Sequence, residues 1–543
     1  MKTKILLLSI ALAGVLTGCK DSFLDRVPES SYVDATYYTS DEALEMATAP
    51  LYNRAWFDYN SRACVPLGCN RANDIYSNWG FPEFTTFRVT ALDTNLSSAW
   101  MAFYSVITMA NSVIDAVETK TSGSVTEEAK ETALGEARLM RACAYFYMLR
   151  IWGPVILIED NQALVNNPVL PLNREEDVFR FIINDLTYAS EHLPTTAAAG
   201  RATAWAAKGI LAKVYLARSG WRKGGQRDAA DLELAKQYAG DVCENSGIEL
   251  LPEYEDLFKY KQNNNQESLL AMQWVPLGDW GVCNTLLADL AFSTEVTGGV
   301  NVWSSYNASI EMLQQYELGD TIRRNATFFT HGSYYDYICI EDGGYTYTGT
   351  GAPIKKGVVG GPDDDNDGYV QSMNSPLNTY ILRLADVYLT YAEACLGNDA
   401  TLSSGPGLTY FNKVRERAKV PTKTSITLDD IIRERRVEFC MEYCNWYDMV
   451  SWFCWQPEKM LEYFNNQYRG YTCDVVSKDA QGYLHFGKYD TDGVTLLEGP
   501  ENWTAPSFEI IIREDDIFLP YPESDVIQNP LLNEEPVPYE FNE

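Results

Sequence analysis

From about residue 95 to residue 245, small and large apolar residues recur at helical spacing in segment after segment, and this repetition restricts the region to stacked helices. The pattern predicts helices over Ala99 to Val117, Glu127 to Trp152, Arg174 to His192, Thr203 to Arg218 and Asp231 to Val242. Ser124 with Glu127 and Asn173 with Glu176 have capping-box spacing, and Gly153-Pro154 stops the second helix. In the fourth segment Ala204, Ala207, Leu211, Val214, Tyr215 and Ala217 alternate small with large, which lets neighbouring helices approach closely. Helix pairs of about 34 residues with such packing are the mark of tetratricopeptide-like repeats. A second set is expected at Leu384 to Leu396 and Leu408 to Ala418. A further stretch, Ile431 to Tyr447, follows the cap-like Thr427 and puts Cys440 and Cys444 on one face.

The expected fold class is therefore mainly α, a tetratricopeptide-like helical repeat scaffold with an irregular, loop-rich ligand-binding subdomain inserted. Residues 246–380 turn to Gly, Asn, Thr and scattered aromatics, and 60–90 and 454–543 share that texture. The expected divisions are 1–18 as a signal peptide, 19–59 as a lipid-anchored segment with a first helix, and 60–90 as binding-face loops. They continue with scaffold over 91–245 and 381–453, the inserted subdomain at 246–380, and an irregular C-terminal region at 454–543. Loops held on a rigid scaffold are where binding residues concentrate.

The apolar run Ile5 to Val15 is too short to cross a bilayer and has the form of a secretory signal. It leads into Leu16-Thr17-Gly18-Cys19, a lipobox-like end that makes Cys19 the expected lipid-attachment residue. No later segment is read as membrane-spanning, which leaves the lipid as the anchor. The formal charge of −32 becomes −34 once Lys2 and Lys4 are removed with the signal, which argues against nucleic acid and anionic lipid as partners. Eleven cysteines follow Cys19, an odd number; Cys64 and Cys69 could close a small loop. With three His, at 192, 331 and 485, and no CxxC pair, zinc and other cofactors are not expected.

Several segments together resemble the SusD/RagB family of outer-membrane nutrient-binding lipoproteins. The first is Ala133-Leu-Gly-Glu-Ala-Arg-Leu-Met-Arg-Ala-Cys-Ala-Tyr-Phe-Tyr-Met-Leu-Arg-Ile-Trp-Gly153, and the next is Ile381-Leu-Arg-Leu-Ala-Asp-Val-Tyr-Leu-Thr-Tyr-Ala-Glu-Ala394. Ile432-Arg-Glu-Arg-Arg-Val-Glu-Phe439, Leu519-Pro-Tyr-Pro and Asn529-Pro530 follow in order, and Phe23-Leu24-Asp25 lies behind the lipobox. After Phe439 the family often continues Glu-Gly-x-Arg, whereas this chain reads Cys440-Met-Glu-Tyr-Cys-Asn-Trp-Tyr-Asp448. The resemblance implies a non-catalytic receptor, lipid-anchored on the extracellular side of the outer membrane, which captures glycan for a SusC-like TonB-dependent transporter. Arg138, Arg141, Arg383, Glu393, Arg435 and Glu438 fall on helices, where charges three or four apart are solvated or bridge helices, and are read as scaffold.

A glycan site needs flat aromatic platforms with polar neighbours, because a sugar ring has apolar C–H faces and a rim of hydroxyls. Arg71 to Phe81 offers Trp79 and Phe81 with Asn73, Asp74 and Asn78, a region that the resemblance also favours. The insertion adds Trp280, Trp303, Tyr334 and Tyr335; Trp274, in an apolar run, is read as core, as are Trp452 and Trp455. Asp363, Asp365 and Asp367 have calcium-loop spacing, but Asn374 stands where a bidentate Glu is expected, so a solvated acidic turn is the preferred reading. Two other functions stay open: a peptide receptor of the same family, and, less favoured, a glycosidase working through paired carboxylates.

Overall fold

The computed structural model describes residues 37–541 except 362, 365 and 366. Cys19, with the signal segment, and Asp365 lie outside the described residues.

The scaffold opens with α1 (Asp41–Thr48) and continues through five long helices: α2 (Thr94–Lys120), α3 (Glu127–Trp152), α4 (Glu175–His192), α5 (Ala204–Gly220) and α6 (Ala229–Asn245). Each packs on the next, and α6 leads across to α7 (Leu384–Leu396), which packs on α8 (Pro406–Arg417). The caps differ from those expected. Thr126, not Ser124, caps α3 by accepting from the Ala129 amide at 3.2 Å, while the Ser124 hydroxyl donates to the Thr39 carbonyl. Asn173 does not cap α4, because its side chain accepts from the Leu157 amide at 2.9 Å. Thr427 does cap α9 (Leu428–Phe439), in a reciprocal box with Asp430.

Close helix approach is visible at Gly209 on α5, where a Cβ would lie 2.6 Å from a methyl of Leu382. The helix α2 is long and apolar enough to cross a membrane by length and composition, contrary to the sequence reading. Its apolar residues are instead spent on packing: Leu96, Ala99, Phe103, Val106, Ile107 and Ala110 are all buried in the core it shares with α3.

The stretch Ile431 to Tyr447 is not one helix. The helix α9 ends at Phe439 and α10 (Asn445–Trp455) follows, with Met441 and Tyr443 between them at φ +62°. Cys440 and Cys444 therefore do not share a helical face. The helix α11 (Pro457–Asn465) completes the scaffold.

The insertion hangs from a two-stranded ribbon. Strand β1 (Ser268–Met272) pairs antiparallel with β4 (Thr379–Arg383), Met272 opposite Thr379, so the chain leaves and re-enters the scaffold at one place. Between them lie β2 (Tyr334–Tyr335) and β3 (Tyr345–Thr346), a small hairpin. The C-terminal region adds β5 (Val475–Lys478), β6 (Leu484–Tyr489) and β7 (Leu496–Glu498) in one antiparallel sheet.

Of the arginines read as scaffold, Arg141, Arg383 and Arg435 are buried and bridge helices, while Arg138 is partly exposed. Arg383 at the ribbon's base donates to Glu267 at 2.9 Å, Glu438 at 2.7 Å and Glu442 at 2.7 Å. Arg323, from the insertion, reaches Glu434 at 2.6 Å and Glu438 at 3.2 Å on α9. All these side chains are buried, so the ion pairs lock insertion to scaffold with their charges shielded from water. The surrounding Arg417, Arg383 and Arg323 hold the Glu438 carboxyl well below the usual range despite its burial.

Candidate functional site

Residues 59–70 form two π-helical turns, Tyr59–Ala63 and Pro66–Asn70, buried apart from Ser61 and Arg62, and do not lie among surface loops as expected. Their asparagines fix the segments that carry the exposed aromatics. At one end the Asn60 amide donates to the Asn284 side chain at 3.2 Å; at the other Asn70 donates to the Gly80 carbonyl at 2.8 Å. Cys64 and Cys69 are buried free thiols here, the Cys64 thiol donating to the Asn60 carbonyl at 3.0 Å.

The chain surfaces at Asn78 and Trp79. The Ser77 hydroxyl donates to the Ser305 carbonyl at 2.5 Å and accepts from the Gly80 amide at 2.8 Å, while the Tyr76 amide donates to the Asn307 carbonyl at 3.0 Å. The 76–80 loop is thus stitched to the 303–308 segment of the insertion. Trp79 is 93% exposed. Trp303, 50% exposed and held by its amide on the Ala288 carbonyl at 2.7 Å, stands two residues before the Ser305 anchor. Trp280, 59% exposed, sits on the turn between Val275 and Val282 and rests edge-on against Phe57 at 5.0 Å. The two asparagine anchors are ten residues apart along the π-helical stretch, about 15 Å at most by helical rise.

The other candidates are placed differently. Asn73 and Asp74 are fully buried, which corrects their reading as ligand contacts. Asp74 accepts from Asn445 at 2.9 Å and faces the Arg436 guanidinium at 3.5 Å; burial raises its pKa to about 6, with Arg436 pulling the other way. Asn73 sits at φ +59°, a conformation Asn tolerates, and its carbonyl accepts from the Ser309 hydroxyl at 2.6 Å. Phe81 is half-buried between Phe84 and Tyr306 and supports the loop. Tyr335 is buried against Phe329 and donates to the Asn325 carbonyl at 2.8 Å, so it too is withdrawn from a ligand. Tyr334 is 58% exposed, with its hydroxyl donated to the Gly343 carbonyl of its own hairpin at 2.8 Å. Trp274, Trp452 and Trp455 are buried, as read from the sequence.

In the acidic turn, Asp364 accepts from the Ile340 and Gly361 amides, each at 2.9 Å, and Asp367 pairs with Lys261 at 3.0 Å. Among the described residues no cluster of three or more His, Cys, Asp or Glu side chains is arranged to hold a metal.

One part of the surface was missed. A cleft of about 490 Å³ opens beside the Trp79 loop, between Asn78, Glu83 and Arg88 on one wall and Thr472, Thr504 and Phe508 on the other. Arg88 lies over the Phe508 ring at 4.4 Å. Nothing in sequence spacing links 88 to 508; the only signal is the aromatic-rich texture of the C-terminal region. Aromatic faces beside hydroxyl, amide and charged groups make this surface suited to a polyhydroxylated ligand.

Comparison with known proteins agrees with this architecture. The family model described as the SusD family matches residues 332–537, and one described as starch-binding associating with outer membrane matches 22–216. A SusD-like protein of Bacteroides ovatus is 76% identical over 543 residues, covering 100% of this chain and 99% of its own. A crystal structure determined with xylogluco-oligosaccharide is 76% identical, with a TM-score of 0.90 over 92% of this chain and 100% of that one. A SusD homologue from Bacteroides thetaiotaomicron, 20% identical, shares the fold at a TM-score of 0.68 over 93% of this chain and 98% of that one. With full-length identity this high and the fold in common, the chain belongs to the SusD family.

Proposed function

We propose that this chain is a surface receptor that binds a xyloglucan-type glycan on Trp79, Trp280 and Trp303 and passes it to a TonB-dependent transporter. The observation that carries the reading is the exposure of three tryptophans, each on a segment fixed by hydrogen bonds, whereas Trp274, Trp452 and Trp455 are core. Exposed indoles are costly to leave in water, and stacking on sugar C–H faces gives them a use. The relative determined with xylogluco-oligosaccharide suggests the ligand class. Asn78, Arg88 and Glu83 supply polar contacts at the edge. No chemical step is assigned; the role is binding.

Calorimetry against xylogluco-oligosaccharide, other glucans and extended peptides tests this reading. Binding to the branched glucan, with no cleavage products after incubation, is expected; preferential peptide binding overturns it in favour of a peptide receptor. Anchoring through lipidated Cys19 and delivery to a SusC-like partner belong to the same proposal. Cys19→Ala should release the protein from the outer membrane, and mild detergent extraction of the unaltered protein should bring a barrel protein with it; retention of the variant, or monomeric extraction, counts against them.

A further inference from the structure

The tryptophan surface leaves one feature of the scaffold unused. Where α3, α5, α7, α9 and α10 meet, a small cavity of about 30 Å³ is lined by Arg150, Lys213, Arg227, Glu393, Arg435 and Asp448 among others. The charges around it do not balance. Lys213 contacts Asp386 at 2.6 Å and Asp448 at 3.7 Å, and Arg435 contacts the same two carboxylates at 2.7 and 2.6 Å. Arg227 pairs with Glu393, whose same oxygen also accepts from the Trp452 indole at 2.9 Å. That leaves Arg150, which donates to the Phe146 carbonyl and stands 3.8 Å from an Asp448 already engaged twice.

Three buried guanidiniums and the partly buried Lys213 thus face three buried carboxylates. The Arg227 side chain, one of those lining the cavity, is 3% exposed and stacks on the Trp455 ring at 3.6 Å, and its Nε and Nη1 have no hydrogen-bond partner. Unused guanidinium donors on Arg227 and a surplus charge at Arg150, both away from water, are costly unless something answers them. Burial, outweighing Asp448 at Arg150 and Glu393 at Arg227, pulls both below the usual guanidinium pKa.

We propose that this cavity is a binding site for one small monovalent anion, a halide such as chloride, held by Arg227 and Arg150. The sign follows from the excess positive charge, and the size from a volume with room for about two water-sized particles, which one halide suits. Bound there, the anion would make the charges four against four and accept the unused Arg227 donors. It would stabilise the packing of the two halves of the scaffold, since α3 and α5 come from before the insertion and α7, α9 and α10 from after it.

The test is crystallographic and thermal, on the full mature chain. Crystals soaked in sodium bromide should give an anomalous peak in the cavity beside Arg227. Replacing gluconate by chloride at constant ionic strength should raise the melting temperature by about 1–2 °C and then saturate. Arg150→Met, which restores three charges against three, should fold and lose that chloride dependence. Arg227→Met is the second variant, expected to lose the bromide peak. A cavity holding only water after the soak, or an equal chloride effect in Arg150→Met and the unaltered protein, would overturn the proposal.

Discussion

Trp79 stands almost wholly in solvent because its neighbours do the structural work: Ser77 is tied to Ser305, and Gly80 fits against the Tyr306 ring where a Cβ would lie 2.5 Å from a ring carbon. Trp79→Ala should therefore leave the melting curve nearly unchanged while weakening oligosaccharide binding roughly fivefold to a hundredfold, the worth of a stacking platform of about 1–3 kcal/mol. Asp74, five residues earlier, behaves in the opposite way. Asp74→Ala would leave the buried Arg436 and Asn445 short of a partner, and is expected to cost about 3 kcal/mol in chemical denaturation without touching the ligand surface. Both residues lie in one polar, turn-rich stretch, and only Trp79 was placed correctly from sequence. What buries Asp74 is Arg436, 362 positions away, and no local pattern carries that information.

At the scale of elements, helices rich in small and large apolar residues were legible, α3 and α7 to the residue, with Gly153-Pro154 marking the end of α3 directly. The break between α9 and α10 was not. Its apolar spacing continues as if helical, and Met441 and Tyr443 take positive φ without being glycine. In the family's pattern a Gly follows the Glu corresponding to Glu442, so Tyr443 occupies a position that glycine adopts at less cost. The turn is held from outside: Gly68, in the second π-helical turn, lies so close that a Cβ would sit 2.2 Å from the Tyr443 carbonyl oxygen. Gly68→Ala must push the two segments apart, and should lower stability by about 1–3 kcal/mol, read from the shift in denaturation midpoint. The ribbon β1–β4 was equally hidden, since pairing Met272 with Thr379 depends on the whole insertion closing back on itself.

For the whole molecule, the buried ion pairs set how stability follows pH. Arginines hold Glu438, and Arg435 with Lys213 holds Asp386, below their usual carboxylate ranges. Their contribution is in place above the unfolded values, about 4.3 and 3.9, and is lost as pH falls through the lower folded values. Asp74 has the opposite sign: its folded pKa of about 6 means that it gains stability as pH drops through 6. A melting-temperature profile should therefore be level or slightly rising from pH 7 to 5 and fall steeply below about pH 4. A profile that falls steadily from pH 7 would show that these networks do not govern the fold.

Whether the exposed tryptophans carry the ligand is decided by calorimetry with xylogluco-oligosaccharide on the unaltered protein and on the triple variant Trp79→Ala/Trp280→Ala/Trp303→Ala. The unaltered protein should bind, and the triple variant should show no measurable heat of binding while still melting cooperatively within several degrees of the parent, since only the half-buried faces of Trp280 and Trp303 lose packing. Undiminished binding by the triple variant, with its fold intact, would contradict the account.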